Sequence, residues 1–161
     1  DDLLSRNPRI EVWLPQFFAV DFKDQVRKKG AKVVEVTTPQ KIGEGAYSSG
    51  VVESWIKEQS LVLDTAQGLL LITGCAHPGI VHIIARIRDI FKKDIFMALG
   101  GIHLAGFENK EIREIIRKCR DSGIEKVGLG HCSGDEAREL FHEEYKEDFV
   151  ELGVGKKIEI Q

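Results

Sequence analysis

The chain has 161 residues, 42% hydrophobic and 30% charged, which suits one domain, or a large piece of one, with a real core. Its formal net charge of -3 gives no electrostatic footprint for nucleic acid. No apolar run approaches the roughly 20 residues that span a bilayer, so neither nucleic acid nor a membrane is expected as a partner.

In chain order, Ile10-Glu11-Val12-Trp13-Leu14 alternates and predicts a strand closed by Pro15. Residues 21–29 are charged enough for a short surface helix ended by Gly30, and residues 32–36 give a second strand. Residues 39–50, with Gly43, Gly45 and Gly50, read as the longest loop. Residues 51–56 and 60–64 read as strands, and the continuous run Leu69-Leu70-Leu71-Ile72 suits a strand covered on both faces. Ile80, Ile83, Ile84, Ile87 and Phe91 then recur at helical spacing. A buried strand over 95–99 stops at Gly100-Gly101, and Ile112, Ile115, Ile116 and Cys119 mark a helix over 108–120 with Gly123 as its cap. Residues 126–129 are the next strand. The spacing predicts a last helix over 133–146, opened by a capping box of Ser133 and Glu136, and an edge strand over 156–160. Strands first, then strand-helix units, make an α/β fold with one shared core.

One coincidence recurs three times. An apolar strand ends, glycine follows, and an imidazole appears just beyond: Gly74 then His77, Gly100-Gly101 then His103, Gly130 then His131. Loops at the carboxyl ends of strands are where open α/β sheets collect ligands. If the three strands run in one direction, the three imidazoles share one edge of the sheet. Converging neutral imidazoles are ligands for zinc and other borderline cations. Helix N-termini close behind His77 and His131 help keep those rings neutral and could hold an anionic substrate group.

Plainer roles suit the other candidates. His82 and His142 sit inside helices and read as structural, and Cys119 lies on an apolar stripe. Cys75 and Cys132 could ligate zinc or act as nucleophiles, but small inert side chains are the simpler reading. Three cysteines with no Cys-x-x-Cys spacing fit a reducing cytoplasm better than a disulfide framework. Asp64 reads as a turn starter, Asp135 as a first-turn carboxylate, and Trp13, Trp55, Phe17 and Phe18 as packing residues. The loop over 41–50 reads as a connector rather than a lid.

Thr73-Gly74-Cys75-Ala76-His77-Pro78-Gly79-Ile80-Val81, Gly100-Gly101-Ile102-His103-Leu104 and Gly130-His131-Cys132-Ser133-Gly134 resemble a branch of the metallo-β-lactamase superfamily. That branch is the one similar to the dihydropterin ribofuranosyl-aminobenzene phosphate synthase. The preceding Glu58-Gln59-Ser60-Leu61-Val62-Leu63-Asp64 looks like it too, and the resemblance covers about residues 50–160. It implies an αβ/βα sandwich with a one- or two-metal site at its edge. It further implies that His77 and His131 are metal ligands, and that His103 is a ligand, a substrate contact or a proton shuttle. Zinc is the expected cation, with manganese or iron as alternatives. The superfamily's His-x-His-x-Asp-His motif is absent from residues 1–161, which also begin without Met. The expectation is therefore one incomplete domain, the C-terminal portion of a larger one.

The resemblance implies a metal-dependent hydrolase using an activated water on a small molecule, phosphate-bearing or pterin-type. Two alternatives stand beside it. One is a non-catalytic piece that pairs with a missing N-terminal half or forms a homo-oligomer, and the other is a cysteine-histidine hydrolase using Cys75 or Cys132.

Overall fold

The computed structural model describes residues 2–160, without the side chains of Asp2 and His131. After a short helix α1 (Asp2–Arg6), strands β1 (Glu11–Pro15) and β2 (Lys32–Val36) pair in parallel, joined by helix α2 (Val20–Lys28). Lys23 on α2 is buried, and its Nζ donates to the Gln16 carbonyl at 2.6 Å and to Glu35 at 2.8 Å. These two bonds tie the crossover helix to its sheet.

The larger sheet has six strands in sequence order: β3 (Gln40–Gly43), β4 (Ala46–Ser48), β5 (Leu61–Thr65), β6 (Gly68–Thr73), β7 (Ile95–Gly100) and β8 (Lys126–Leu129). The first four alternate in direction, whereas β6, β7 and β8 are parallel neighbours. Parallel neighbours need crossovers, and helices α3 (Ile80–Phe91) and α4 (Asn109–Asp121) provide them, with α5 (Asp135–Tyr145) after β8. Each helix begins just beyond a strand's carboxyl end, so every loop that carries one of the three histidines is short and lies at one sheet edge.

The main core lies between the sheet and these helices, where Leu69, Leu71, Ile83, Ile84, Ile87, Ile95, Ile112 and Phe141 are buried. Each such side chain contributes about 1.5–3 kcal/mol relative to exposure. Leu70, Phe96 and Met97 pack on the opposite face with the partly buried Leu63, Ile72, Leu99 and Ile160. β6 is thus covered on both faces, as its unbroken apolar run predicts. Among the described residues no helix is long and apolar enough to cross a membrane.

Four expected elements differ. Residues 39–50 are a hairpin rather than a loop: Glu44 and Gly45 form the turn, with Gly45 at φ 65°, and Asp64 N–H donates to the Gly45 carbonyl at 2.7 Å. Of the glycines that read as loop punctuation, Gly45 makes the tight turn of a two-residue hairpin and Gly43 ends its first strand. Residues 51–56 form no strand. Only Val52 and Glu58 bridge, with N–H···O bonds of 2.7 and 3.2 Å, which closes residues 53–57 into a small loop. Ser133 makes no capping box with Glu136; its buried hydroxyl donates to the Gly130 carbonyl at 2.8 Å and accepts from Ile102 N–H at 3.3 Å. Joining two strand-end loops replaces capping, and Gly134 stands at the N-cap of α5 instead. Residues 156–160 are not a strand either. The tail bridges once beside β8, through Phe149 with Val127, and then brings Ile160 onto the second face of the sheet.

Candidate metal centre

The carboxyl ends of β6, β7 and β8 are stitched together by backbone. Gly101 N–H donates to the Gly74 carbonyl and Gly130 N–H to the Gly100 carbonyl, both at 3.1 Å. Thr73 Oγ1 donates to the Gly101 carbonyl at 2.8 Å. Glycine is required at the middle loop. A Cβ on Gly100, at φ 120°, would lie 2.1 Å from the Thr73 carbonyl oxygen, and one on Gly101 would lie 2.3 Å from that of Gly74. No L side chain fits such an approach. Glycine therefore sets how closely the three histidine-bearing loops converge.

Two of the three imidazoles meet. The rings of His77 and His103 lie 4.3 Å apart between centroids, both partly buried. His131 opens a 3-10 turn, His131–Ser133, directly after β8, so its backbone enters at the same end of the sheet. Its side chain lies outside the described residues. Ala76 and His103 both hold left-handed backbone, at φ 58° and 46°. Such non-glycine residues are uncommon and concentrate at functional sites.

His77 is gripped twice by Glu58. One carboxylate oxygen accepts from the His77 backbone N–H at 3.0 Å, and the other meets ring Nδ1. A carboxylate on Nδ1 fixes the tautomer and ring plane of a histidine, leaving the Nε2 lone pair for a cation. Glu58, Cys75 and His77 each place a ligand atom within 4.8 Å of the others, a spacing that could hold one metal ion. His103 adds an independent sign of fit: its Nδ1 is buried with no hydrogen-bond partner among the described residues. An unpartnered buried nitrogen costs about 1–3 kcal/mol, which a bound ion or substrate group would offset.

Cys75 stays within this group, and the other candidates have roles apart from it. Cys75 has its thiol pushed up to about 11, by burial first, then by its bond with Cys132 and by the negative charge of Glu58. A thiol so disposed is not a nucleophile at neutral pH, which weighs against Cys75 as the nucleophile of a cysteine-histidine hydrolase. Cys119 is core, and burial raises its thiol to about 12. Asp64 pairs with Lys93 at 2.7 Å, Asp135 is exposed beside Arg138, and His142 stands on Phe149. His82 is exposed on α3. Trp55 corrects its expected role as packing: it is 76% exposed, with its indole edge-on to His77 at 5.1 Å and 6.4 Å from His103. Phe17 and Phe18 are also exposed rather than packed inside, Phe17 beneath Lys57 Nζ at 3.6 Å.

The sequence reading missed Glu58 and Trp55 as members of the site. The Val52–Glu58 bridge brings both there, and no local pattern announces it. The only signal was Glu58 opening one of the resembling segments. Beside the two imidazoles opens a cleft of about 450 Å³, walled by the Ile80 end of α3, the loop after β7 and the Ile115 face of α4.

Sheet order, parallel strand ends and histidine loops make this an α/β protein with the architecture of the metallo-β-lactamase superfamily. Its likeness to a crystal structure of a metal-dependent hydrolase of the β-lactamase superfamily has a TM-score of 0.82 at 27% identity, over 98% of this chain and 73% of the other. More particularly, the chain is 36% identical over 109 residues to the 7,8-dihydropterin-6-methyl-4-(β-D-ribofuranosyl)-aminobenzene-5'-phosphate synthase of Methanocaldococcus jannaschii. That match covers 67% of this chain and 37% of the relative, so the chain spans well under half of the protein it matches. No family model matches the chain. The resemblance read from the three glycine-histidine segments is borne out.

Proposed function

We propose that this chain provides one side of the active site of a metal-dependent hydrolase-type enzyme acting on a small molecule, phosphate-bearing or pterin-type. The observation that carries this reading is His77, held by Glu58 through both backbone and ring and facing His103 at the mouth of a cleft. His77 ligates through Nε2, and His131, entering from the end of β8 on the far side of β7, is its partner ligand. A divalent cation there, zinc before manganese or iron, would lower the pKa of a coordinated water to about 7 and polarise the bond under attack.

Glu58 keeps the His77 ring aimed, through its backbone N–H and ring Nδ1. His103 completes the ligand set or moves a proton at the reacting atoms, and its buried Nδ1 has no hydrogen-bond partner among the described residues. Trp55 stands beside both rings, edge-on to His77 and tilted towards His103. Metal analysis of the full-length protein, with and without His77→Ala and His131→Ala, tests the assignment. Both variants should lose metal; unchanged content in both eliminates these residues as ligands.

A second reading is favoured by the partly buried Leu63, Ile72 and Leu99 on the outer sheet face. Such a face suits association with another part of a larger protein or with a second copy. Light scattering that shows only a stable, metal-free monomer at every concentration contradicts association.

A further inference from the structure

The cleft beside the imidazoles is apolar along most of its wall. Ile80, Val81, Leu104, Phe107 and Ile115 line it, and Trp55 stands at its edge. The one formally charged lining residue among those described is Lys118. It lies one helical turn beyond Ile115 on α4, whereas the imidazoles come from the strand-end loops, so cation and imidazoles occupy different walls. Its acidic neighbour holds it loosely. Glu114 is taken by Arg117, with Nε and Nη2 donating at 3.0 and 2.7 Å, and that grip, with Lys118 secondary, pulls its carboxyl down to about 2. The Lys118–Glu114 contact is longer, at 3.4 Å. Lys118 can therefore turn to a ligand without leaving Glu114 unpaired.

A volume of about 450 Å³ lies in the range of small-molecule pockets, where apolar walls bind the body and a few polar groups fix orientation. We infer that this cleft selects a compact, ring-bearing molecule carrying one anionic group, and that Lys118 is the specificity residue that receives the anion while the ring lies between the apolar walls. Carboxylate, sulfonate and phosphate share that chemistry. The inference rests on the hydrolase reading for the place of the cleft, but not on any metal for binding.

The test uses the full-length protein and two fluorescent probes of one ring system, anilinonaphthalene sulfonate and the uncharged N-phenyl-1-naphthylamine. Each is titrated with and without a chelator. Both should bind saturably, with Trp55→Phe reducing energy transfer to the bound probe. Lys118→Met should weaken the sulfonate about tenfold, as expected for one charge-assisted contact, and leave the neutral probe unchanged. Glu114→Gln should tighten the sulfonate, and Lys110→Met, on the same helix outside the cleft, should change neither. No saturable binding, or a Lys118→Met effect that is nil or equal for both probes, overturns the inference. Because binding is read without metal, those outcomes are distinct from a failure of the metal assignment, which only metal content reports.

Discussion

Replacing Gly101 with alanine tests how the strand ends are brought together. The added Cβ would lie 2.3 Å from the Gly74 carbonyl oxygen, 2.8 Å from Cys132 Sγ and 3.2 Å from Cys75 Cα. Two of these are backbone atoms, so no rotamer change relieves the collision; the loops must separate and the 3.1 Å bond from Gly101 N–H must stretch. Overpacking costs roughly 1–3 kcal/mol and the lost bond about 1 kcal/mol more, so about 3 kcal/mol is expected. In a domain of this size that is about 6–12 °C of Tm. Gly74, the partner in the same bond, is the internal control. Nothing lies within 4 Å of a Cβ built there, and its φ is not left-handed. Gly74→Ala should stay within about 0.5 kcal/mol of the parent. Urea unfolding of parent and both variants measures the difference. Equal losses in the two variants, or none in Gly101→Ala, would refute the claim that close approach at Gly101 sets the loop geometry.

Glu58→Gln keeps the shape but removes the charge behind His77, and metal affinity should fall about 10–100-fold in a chelator-competition titration, as when an outer-shell carboxylate is lost; unchanged affinity would show that Glu58 does not support the ligand. Ser133→Ala should cost about 1–2 kcal/mol by removing the link between the Gly130 carbonyl and Ile102 N–H, whereas Glu136→Ala should stay within about 0.5 kcal/mol because no capping box forms. The reverse order in denaturant unfolding would restore the capping role. The buried Cys119 thiol, raised from its ordinary 9.0 to about 12, is neutral in the folded state over a range where the unfolded chain ionises. Its contribution is therefore complete below pH 9 and is lost as pH rises towards 12, and Cys119→Ala should show a shallower fall in stability above pH 9. A slope identical to the parent's would place the alkaline sensitivity elsewhere.

Periodicity and glycine punctuation made the parallel half of the chain legible. The strands over 69–72, 95–99 and 126–129 and the helices between them lie where the apolar spacing put them, because each element buries a stripe that its own residues define. The antiparallel half was harder. Gly43 and Gly45 read as loop, since a hairpin turn uses the same residues as a connector and only the pairing of β4 with β5 separates the two. Val51 and Val52 read as strand because they are apolar and β-branched, yet they are buried just ahead of a loop that a single bridge from Val52 closes. Ser133 followed by Glu136 has capping-box spacing, but the hydroxyl finds nearer partners on two converging loops, and tertiary contact wins over a local preference. At the centre, the sequence announced His77 and His103 through their place after strands. It could not announce Glu58, whose bond to His77 spans 19 positions and depends on how residues 53–57 close.

The most direct measurement is anomalous diffraction from crystals of the full-length protein loaded with zinc. A peak about 2.0–2.1 Å from Nε2 of His77, with Glu58 still on Nδ1, is the predicted result. An ion bound elsewhere while His77 stays unliganded would contradict the account.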